Sequence, residues 1–310
     1  MGQAGNPKDS KLDQASRLVE LRTELVRKIT EQLPAAGDKT TAIPALSLYR
    51  RIAPTACKLV TYEPSLSVFV QGRKRINLGG ATRLCDDSTF VLASVDVPVV
   101  SQIVTASEQV PFLGLRLALD MQVVREIVSQ EDFPEPAISS QGRGIAIGKT
   151  TSELLSACSR LMDLLNTPEE IRFLSDTIQR EIVYRILRGP QGERLRAIAT
   201  FGDQSHRTAK AIAWLRANFD KPLRVEELAG IARMATSTFH HQFRALTAIS
   251  PLQYQKQLRL HAACDRMLID GLDAASAAFE VGYESASQFS REYRRHFGKP
   301  PMQDVQALRL

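Results

Sequence analysis

Residues 231–251 read IARMATSTFHHQFRALTAISP, and residues 281–301 read VGYESASQFSREYRRHFGKPP. Laid over one another at an offset of 50, the two stretches need no gap. Ser237 falls on Ser287, Phe239 on Phe289, Phe243 on Tyr293, Arg244 on Arg294 and Pro251 on Pro301. Each copy runs from small or turn residues into Ser-x-Phe-x-x-x-aromatic-Arg, then to Pro. In a helix the two rings stand at i and i+4 and form one buried stripe. Residues 240–242 and 290–292 lie between the rings and point the other way, toward solvent or a groove.

The flanking residues complete a doubled helix-turn-helix. A first helix is expected over Val225–Ala232 and again over about Ala274–Val281. Turns follow at Arg233–Ala235 and Gly282–Glu284, then second helices at about Thr236–Leu246 and Ser285–His296. Ser285 can cap the second copy, whereas the first must draw its cap from Thr236 or Ser237. Between the copies, Ser250–Asp270 reads as one long helix. Pro251 fits its first turn, Tyr254, Leu258 and Ala262 recur every four residues, and Gly271 ends it. A rod of about 20 residues is ~30 Å long, close to the ~34 Å between major-groove segments on one face of a duplex.

The whole chain has 310 residues, with 44% hydrophobic and 24% charged, which suits two globular domains. No apolar run is long enough for a membrane span, and the polar N-terminus does not read as a secretory signal. Asn6 stands where a myristoylation signal needs Ser or Thr. The four cysteines are far apart and form no CxxC, so a reducing cytosol is expected. Residues 204–310 hold 15 Lys+Arg against 10 Asp+Glu, whereas residues 1–203 hold 25 against 24. The basic surplus therefore lies with the repeat, which hints at nucleic acid.

Outward from the repeat the texture changes. Residues 11–33 read as an amphipathic helix ending before Pro34, and Ala35–Pro44 as a loop. From 45 to 119, short runs rich in β-formers recur: 46–52, 57–63, 65–72, 88–95, 99–107 and 111–119. Asn77-Leu78-Gly79-Gly80 reads as a hairpin turn. Asp120 can cap a helix, 142–149 reads as a further strand, and 152–166 and 168–189 read as helices. The domains expected are 1–190, a linker at 191–203, and 204–310. Gly142–Thr150 misses the phosphate-loop pattern because Arg143 stands where glycine is needed, so a strand leading into a helix is expected. Gln71–Arg75 reads as a solvated basic edge that discourages strand pairing. Cys57, Cys85 and Cys158 read as buried structural thiols rather than sensors. No histidine precedes His206, which argues against a metal-dependent enzyme in the N-terminal half.

The C-terminal repeat, with PLRVEELAGIARMATSTFHHQFRALTAISPLQYQKQLRL followed by FEVGYESASQFSREYRRHFGKPP, resembles the AraC/XylS family of bacterial transcriptional regulators over about Ser205–Leu308. The segment YEPSLSVFVQGRKRINLGG resembles the cupin-like effector domain of one subgroup. Arg224 and Ala235 depart from that family's usual Ser or Thr caps, and Ala248 from a common glycine. The resemblance implies an α+β chain: an N-terminal cupin-like β-barrel with flanking helices and a C-terminal all-α double helix-turn-helix. It implies a sequence-specific, ligand-responsive activator that reads two successive major-groove segments.

By the same resemblance, base edges would be met by Ser237, His240 and His241 in the first copy. In the second they would be met by Ser287, Gln288, Ser290 and Arg291, with Arg291 suited to bidentate contact with guanine. Thr236, Arg244, Ser285, Arg294, Arg295 and Lys299 would contact phosphate; each cation is otherwise a solvated charge. The adjacent His240 and His241 have poor geometry for one metal. Expected partners are promoter DNA, RNA polymerase, a small-molecule effector and a second copy of the chain, in the cytoplasm, with no cofactor and no metal. Ligand-lining residues cannot be read from alternation alone. Two other readings remain: a cupin-type small-molecule enzyme, and a non-specific architectural DNA binder.

Overall fold

The computed structural model describes residues 7–78, 81–133, 144–200 and 204–309. Gly79 and Gly80 of the expected hairpin turn, Gly142 and Arg143 of the near phosphate loop, and 201–203 of the expected linker lie outside the described residues. Two compact units emerge, Met1–Asp203 and Gln204–Leu310.

Among the described residues, the first unit holds helix α1 (Pro7–Gln32) and then ten strands. These are β1 (Gly37–Thr40), β2 (Leu46–Arg51), β3 (Lys58–Tyr62), β4 (Ser65–Gln71), β5 (Arg73–Leu78), β6 (Ala81–Cys85), β7 (Thr89–Ala93), β8 (Val97–Thr105), β9 (Phe112–Ala118) and β10 (Ile145–Lys149). Helix α2 (Met121–Gln130) precedes β10; α3 (Ser152–Asp163), α4 (Pro168–Arg188) and α5 (Gly192–Ala199) follow it. The strands form a six-stranded sheet, β1-β2-β9-β4-β7-β10, and a four-stranded sheet, β3-β8-β5-β6. The expected barrel is thus two antiparallel sheets, not a cylinder closed by hydrogen bonds.

Period-two alternation gives the larger sheet two different faces. Leu46, Leu48, Leu66, Val68, Leu113, Leu115 and Leu117 point to one side and share a core with Leu25 and Ile29 of α1, Leu155 of α3 and Ile182 of α4. Ser67, Phe69, Phe112 and Arg116 have the opposite parity and line a space toward the other sheet. Asp120 accepts the Gln122 amide at 2.7 Å and caps α2 as expected. Thr151 caps α3, so Ile145–Thr151 is a strand leading into a helix, not a phosphate loop.

Several expectations change. β1 lies in the segment read as a loop; GDKT has no apolar alternation, and only its pairing with β2 makes it a strand. Within the segment expected as linker, Gly192–Ala199 is helical, and Leu195 and Ala199 join the core of the first unit. The 71–75 cluster is not an edge, because β5 is paired with both β8 and β6. Arg73 and Arg75 are exposed, but Lys74 between them turns toward the rings of Tyr62 and Phe69. Cys57 is exposed, while Cys85 and Cys158 are buried. Burial pushes the Cys85 thiol up to about 11, with Lys74 opposing, and the Cys158 thiol up to about 12.

The second unit is helical: α6 (Gln204–Ala217), α7 (Val225–Ile231), α8 (Thr236–Thr247), α9 (Pro251–Ile269), α10 (Ala274–Glu280), α11 (Ala286–Phe297) and α12 (Pro301–Arg309). Ser250 and Gln253 close a capping box on α9. The two turns use the same bonding. Met234 N–H reaches Ala229 O and Arg233 N–H reaches Gly230 O; Tyr283 N–H reaches Ala278 O and Gly282 N–H reaches Phe279 O. This is the Schellman pattern twice. Its left-handed position is Arg233 in one copy (φ 52°) and Gly282 in the other (φ 89°). The first helices and turns therefore correspond at an offset of 49, and the second helices at 50.

The ends of α8 and α11 repeat this contrast. Ala248 (φ 66°) and Gly298 (φ 84°) both adopt the left-handed conformation, and a Cβ at Gly298 would meet nothing within 4 Å. An L side chain there costs roughly 1 kcal/mol against glycine. Ala248→Gly should therefore raise stability by about 0.5–1 kcal/mol, and Gly298→Ala should lower it by a similar amount. Urea unfolding of both variants checks this; equal effects of one sign would remove the conformational explanation.

Candidate nucleic-acid interface

Helix α8 is anchored by one face. Phe239, Phe243 and Leu246 are fully buried; the Phe239 and Phe243 rings lie 5.6 Å apart, and Phe243 meets Tyr254 of α9 edge-on at 5.5 Å. Helix α11 repeats this with Phe289 and Tyr293, fully buried at 5.5 Å, while Tyr283 meets Phe289 at 5.3 Å. The Tyr293 hydroxyl donates to Asp304 Oδ2 of α12 at 3.0 Å. Rings at i and i+4 thus fix each helix's rotation and determine what its other face presents.

That other face carries the residues expected to meet DNA. Ser237, His240, His241 and Arg244 are exposed on α8, with Thr236 half-buried at its start. Ser287, Gln288, Arg291, Arg294 and Arg295 are exposed on α11, as is Lys299 beyond it; Ser285 and Ser290 are half-buried. Ser285 caps α11, accepting the Gln288 amide at 3.3 Å. Helix α8 begins after Ala235 without a side-chain cap, so neither Thr236 nor Ser237 supplies one; α7 after Arg224 is likewise uncapped. Gln288 is partly engaged, donating through Nε2 to Glu292 Oε1 at 3.3 Å.

Among the described residues, Arg244, Arg291, Arg294, Arg295 and Lys299 have no carboxylate within ion-pair distance. Several acids of the same unit are held by structural partners. Glu292 pairs with Lys256 at 2.9 Å and accepts from Tyr283 at 2.9 Å. Burial pushes the Glu292 carboxyl up, but the Lys256, Gln288 and Tyr283 hydrogen bonds outweigh it, so Glu292 titrates below its usual range. Asp273 caps α10 through the Ala275 and Ser276 amides, and Asp270 and Glu280 meet Arg266.

Two features beneath this surface escape a sequence reading. Arg259 of α9 donates through Nε to Phe219 O (2.8 Å) and through Nη2 to Asp220 O (3.0 Å) and Lys221 O (2.9 Å), all beyond the end of α6. Through Nη1 it reaches Gly282 O in the second turn at 2.7 Å. Gln255, one turn earlier, donates to Phe219 O and Lys221 O at 2.9 and 2.6 Å. The second feature is His261 of α9, whose ring stands 5.8 Å from that of His296 and 5.3 Å from that of Phe297 on α11. Burial, with His296 adding to it, pushes His261 down to about 3. Burial also lowers His296.

Comparison with known proteins follows the same division. A family model described as AraC-type transcriptional regulator N-terminus matches residues 42–194, and a helix-turn-helix domain model matches residues 228–306. The HTH-type transcriptional regulator GbdR of Pseudomonas aeruginosa is 28% identical over 182 residues, 58% of this chain and 50% of that protein. The HTH-type transcriptional activator RhaS of Mannheimia succiniciproducens is 24% identical over 156 residues, 50% of this chain and 55% of that protein. The chain spans about half the length of these curated relatives. Crystal structures of Vibrio cholerae ToxT share the fold: an apo variant aligns with a TM-score of 0.56 at 11% identity, over 84% of this chain and 97% of that one. A form described as bound to unsaturated fatty acid aligns at 0.54 and 11%, over 84% and 94%.

Two outcomes are expected. Arg259→Met leaves backbone carbonyls short of donors and should cost about 2–4 kcal/mol of stability; a loss under 1 kcal/mol by denaturant unfolding would show that Gln255 suffices. His261 and His296 are depressed in the folded state, so their stabilising effect is complete above the unfolded value of 6.5. It is lost as the pH falls from 6.5 toward the folded values, at up to about 1.4 kcal/mol per pH unit per site. Between pH 6.5 and 5 carboxylates contribute little, so His261→Leu should flatten the pH dependence of the unfolding midpoint there. An unchanged slope would refute the assignment.

Proposed function

We propose that the chain is a member of the AraC/XylS family of transcriptional regulators, on the strength of the models matching residues 42–194 and 228–306, and that it binds promoter DNA through α8 and α11 and regulates transcription in response to a small molecule held by its first unit. One observation carries the DNA-binding part: both helices bury a ring stripe and turn cations without carboxylate partners outward. Such cations release counterions when they meet phosphates, which supplies affinity. The axis of α9 is about 28 Å long for 19 residues at 1.5 Å each. That length suits readers separated by about one helical turn of DNA.

Within this reading, Ser237, His240, His241, Ser287, Gln288, Ser290 and Arg291 meet base edges. Thr236, Arg244, Ser285, Arg294, Arg295 and Lys299 meet the backbone. The first unit acts as a sensor and not as a metal-dependent enzyme, since no histidine precedes position 206. Effector binding in one of two states would bias how the DNA-facing unit is used. Activation, the sign given by RhaS's name, would engage RNA polymerase, and a second copy of the chain would pair half-sites. A cytoplasmic setting fits, and no helix among the described residues is long and apolar enough to cross a membrane.

The test is DNA binding by fluorescence anisotropy, on sites found by genome-wide mapping of the bound protein. Arg291→Ala should cost about 1–3 kcal/mol and relax preference at one base pair. Arg294→Ala should weaken all sequences alike and reduce the salt slope by about 1. Equal affinity for mapped and scrambled sites would overturn the specific-regulator reading in favour of an architectural one.

A further inference from the structure

We propose that the space between the two sheets of the first unit binds a small organic carboxylate, whose charge is received by Lys74. The proposal deepens the sensor reading and rests on it for its regulatory meaning, but the site stands on its own geometry. Both sheets line a cavity of about 260 Å³. That is the volume of eight or nine waters at ~30 Å³ each, below the range of typical drug-sized pockets. It suits a compact acid and excludes a long-chain lipid.

The charge balance of the lining selects the ligand's sign. Three cations face the cavity: Arg51, Lys74 and Arg116. Arg51 is held by Asp38 at 2.6 Å, and Arg116 by Glu63 at 2.9 Å. Among the described residues Lys74 has no carboxylate partner. Its ammonium instead lies 5.2 Å from the Tyr62 ring centroid and 5.9 Å from that of Phe69. The rings hold it by cation–π attraction but accept no strong hydrogen bond from it. Tyr62 Oη and Arg116 Nε, on residues of the same lining, are buried without a hydrogen-bond partner. The ammonium and the Arg116 Nε–H can only donate and the Tyr62 hydroxyl can donate as well as accept, so an acceptor is the one kind of partner that suits all three.

The rest of the wall describes the ligand's body. Phe69 and Phe112 stand with ring centroids 5.5 Å apart, and Val60 and Ile103 close the apolar side. A polyhydroxylated neutral ligand would need acceptors as well as donors, and Asp38 is already paired. A carboxylate offers two charged oxygens to the donors and an apolar body to the rings. The cluster Arg73-Lys74-Arg75 thus divides by strand parity: its outer members are exposed and its middle member turns inward.

The experiment uses the full chain and three acid–amide pairs: phenylacetate, cyclohexanecarboxylate and hexanoate, each against its primary amide, at matched ionic strength. Thermal unfolding and calorimetry are the readouts. At least one acid should raise the unfolding temperature more than its amide does. Lys74→Met should weaken that acid at least tenfold, Lys74→Arg should retain most of the preference, and Lys58→Met, on an exposed lysine of the same sheet, should change nothing. If no acid outperforms its amide, or if Lys74→Met keeps the preference, the carboxylate site is overturned. DNA affinity measured with and without the bound acid separates the two readings: a bound acid that leaves DNA binding unchanged sinks the sensor and leaves the site standing.

Discussion

Arg259 connects parts of the second unit that belong to different halves of the repeat. Every partner named for its guanidinium is a backbone carbonyl: Phe219, Asp220 and Lys221 beyond α6, and Gly282 in the turn between α10 and α11. A planar fork of five donors can satisfy carbonyls arriving from several directions, which a lysine could not. The arrangement requires close approach. A Cβ on Gly282 would lie 2.0 Å from Asp220 O, so glycine serves here both a left-handed turn and a contact that no side chain permits. Helix α9 therefore does more than separate α8 from α11: one side chain and one missing Cβ join it to the segment beyond α6 and to the turn before α11.

The repeat was legible because its signal is local. Rings at i and i+4, a proline at the start of the next helix and a serine cap are all set within a few residues, and α8, α9 and α11 fall within a residue or two of the expected bounds. The shift from 49 to 50 between the copies was not legible, because an ungapped overlay matches Gly282 to Ala232. Backbone bonding shows that Arg233 occupies the glycine's place. A lone arginine in the left-handed region leaves no mark in sequence, since the penalty of about 1 kcal/mol is tolerable wherever the Schellman bonds form. Arg259, Gln255 and the His261–His296 pair act across long sequence distances, and a surface helix carries such residues for many other reasons.

In the first unit, the strands were visible and their arrangement was not. β4 reads SLSVFVQ, and six of its seven residues are buried. A strand covered on both sides loses the alternation that tells inside from outside. Only the structure shows that Leu66 and Val68 meet helices while Ser67 and Phe69 meet the space between sheets. Helix α5 was missed for a related reason. Its Gly-x-Arg-Leu-Arg-Ala pattern is short and polar, yet tertiary packing buries Arg194 and Leu195 alike, and packing overrides weak propensity.

Charge separates what the two units can do more sharply than composition suggests. A surplus of 5 in residues 204–310 would mean little if cations and acids alternated over one surface. Five of the ten acids are engaged by structural partners: Asp273 in a cap, Asp304 by Tyr293, Glu292 by Lys256, Tyr283 and Gln288, and Asp270 and Glu280 by Arg266. Each of these acids is fixed by a structural partner, and among the described residues Arg244, Arg291, Arg294, Arg295 and Lys299, on or beside α8 and α11, have no carboxylate within ion-pair distance. The same principle applies inside the first unit, where Arg51 and Arg116 have their acids and Lys74 has none. In both units the structural ion pairs determine which cations are left without a carboxylate partner: several on the exposed faces of α8 and α11 in the second unit, and Lys74 among the three that line the space between the sheets of the first.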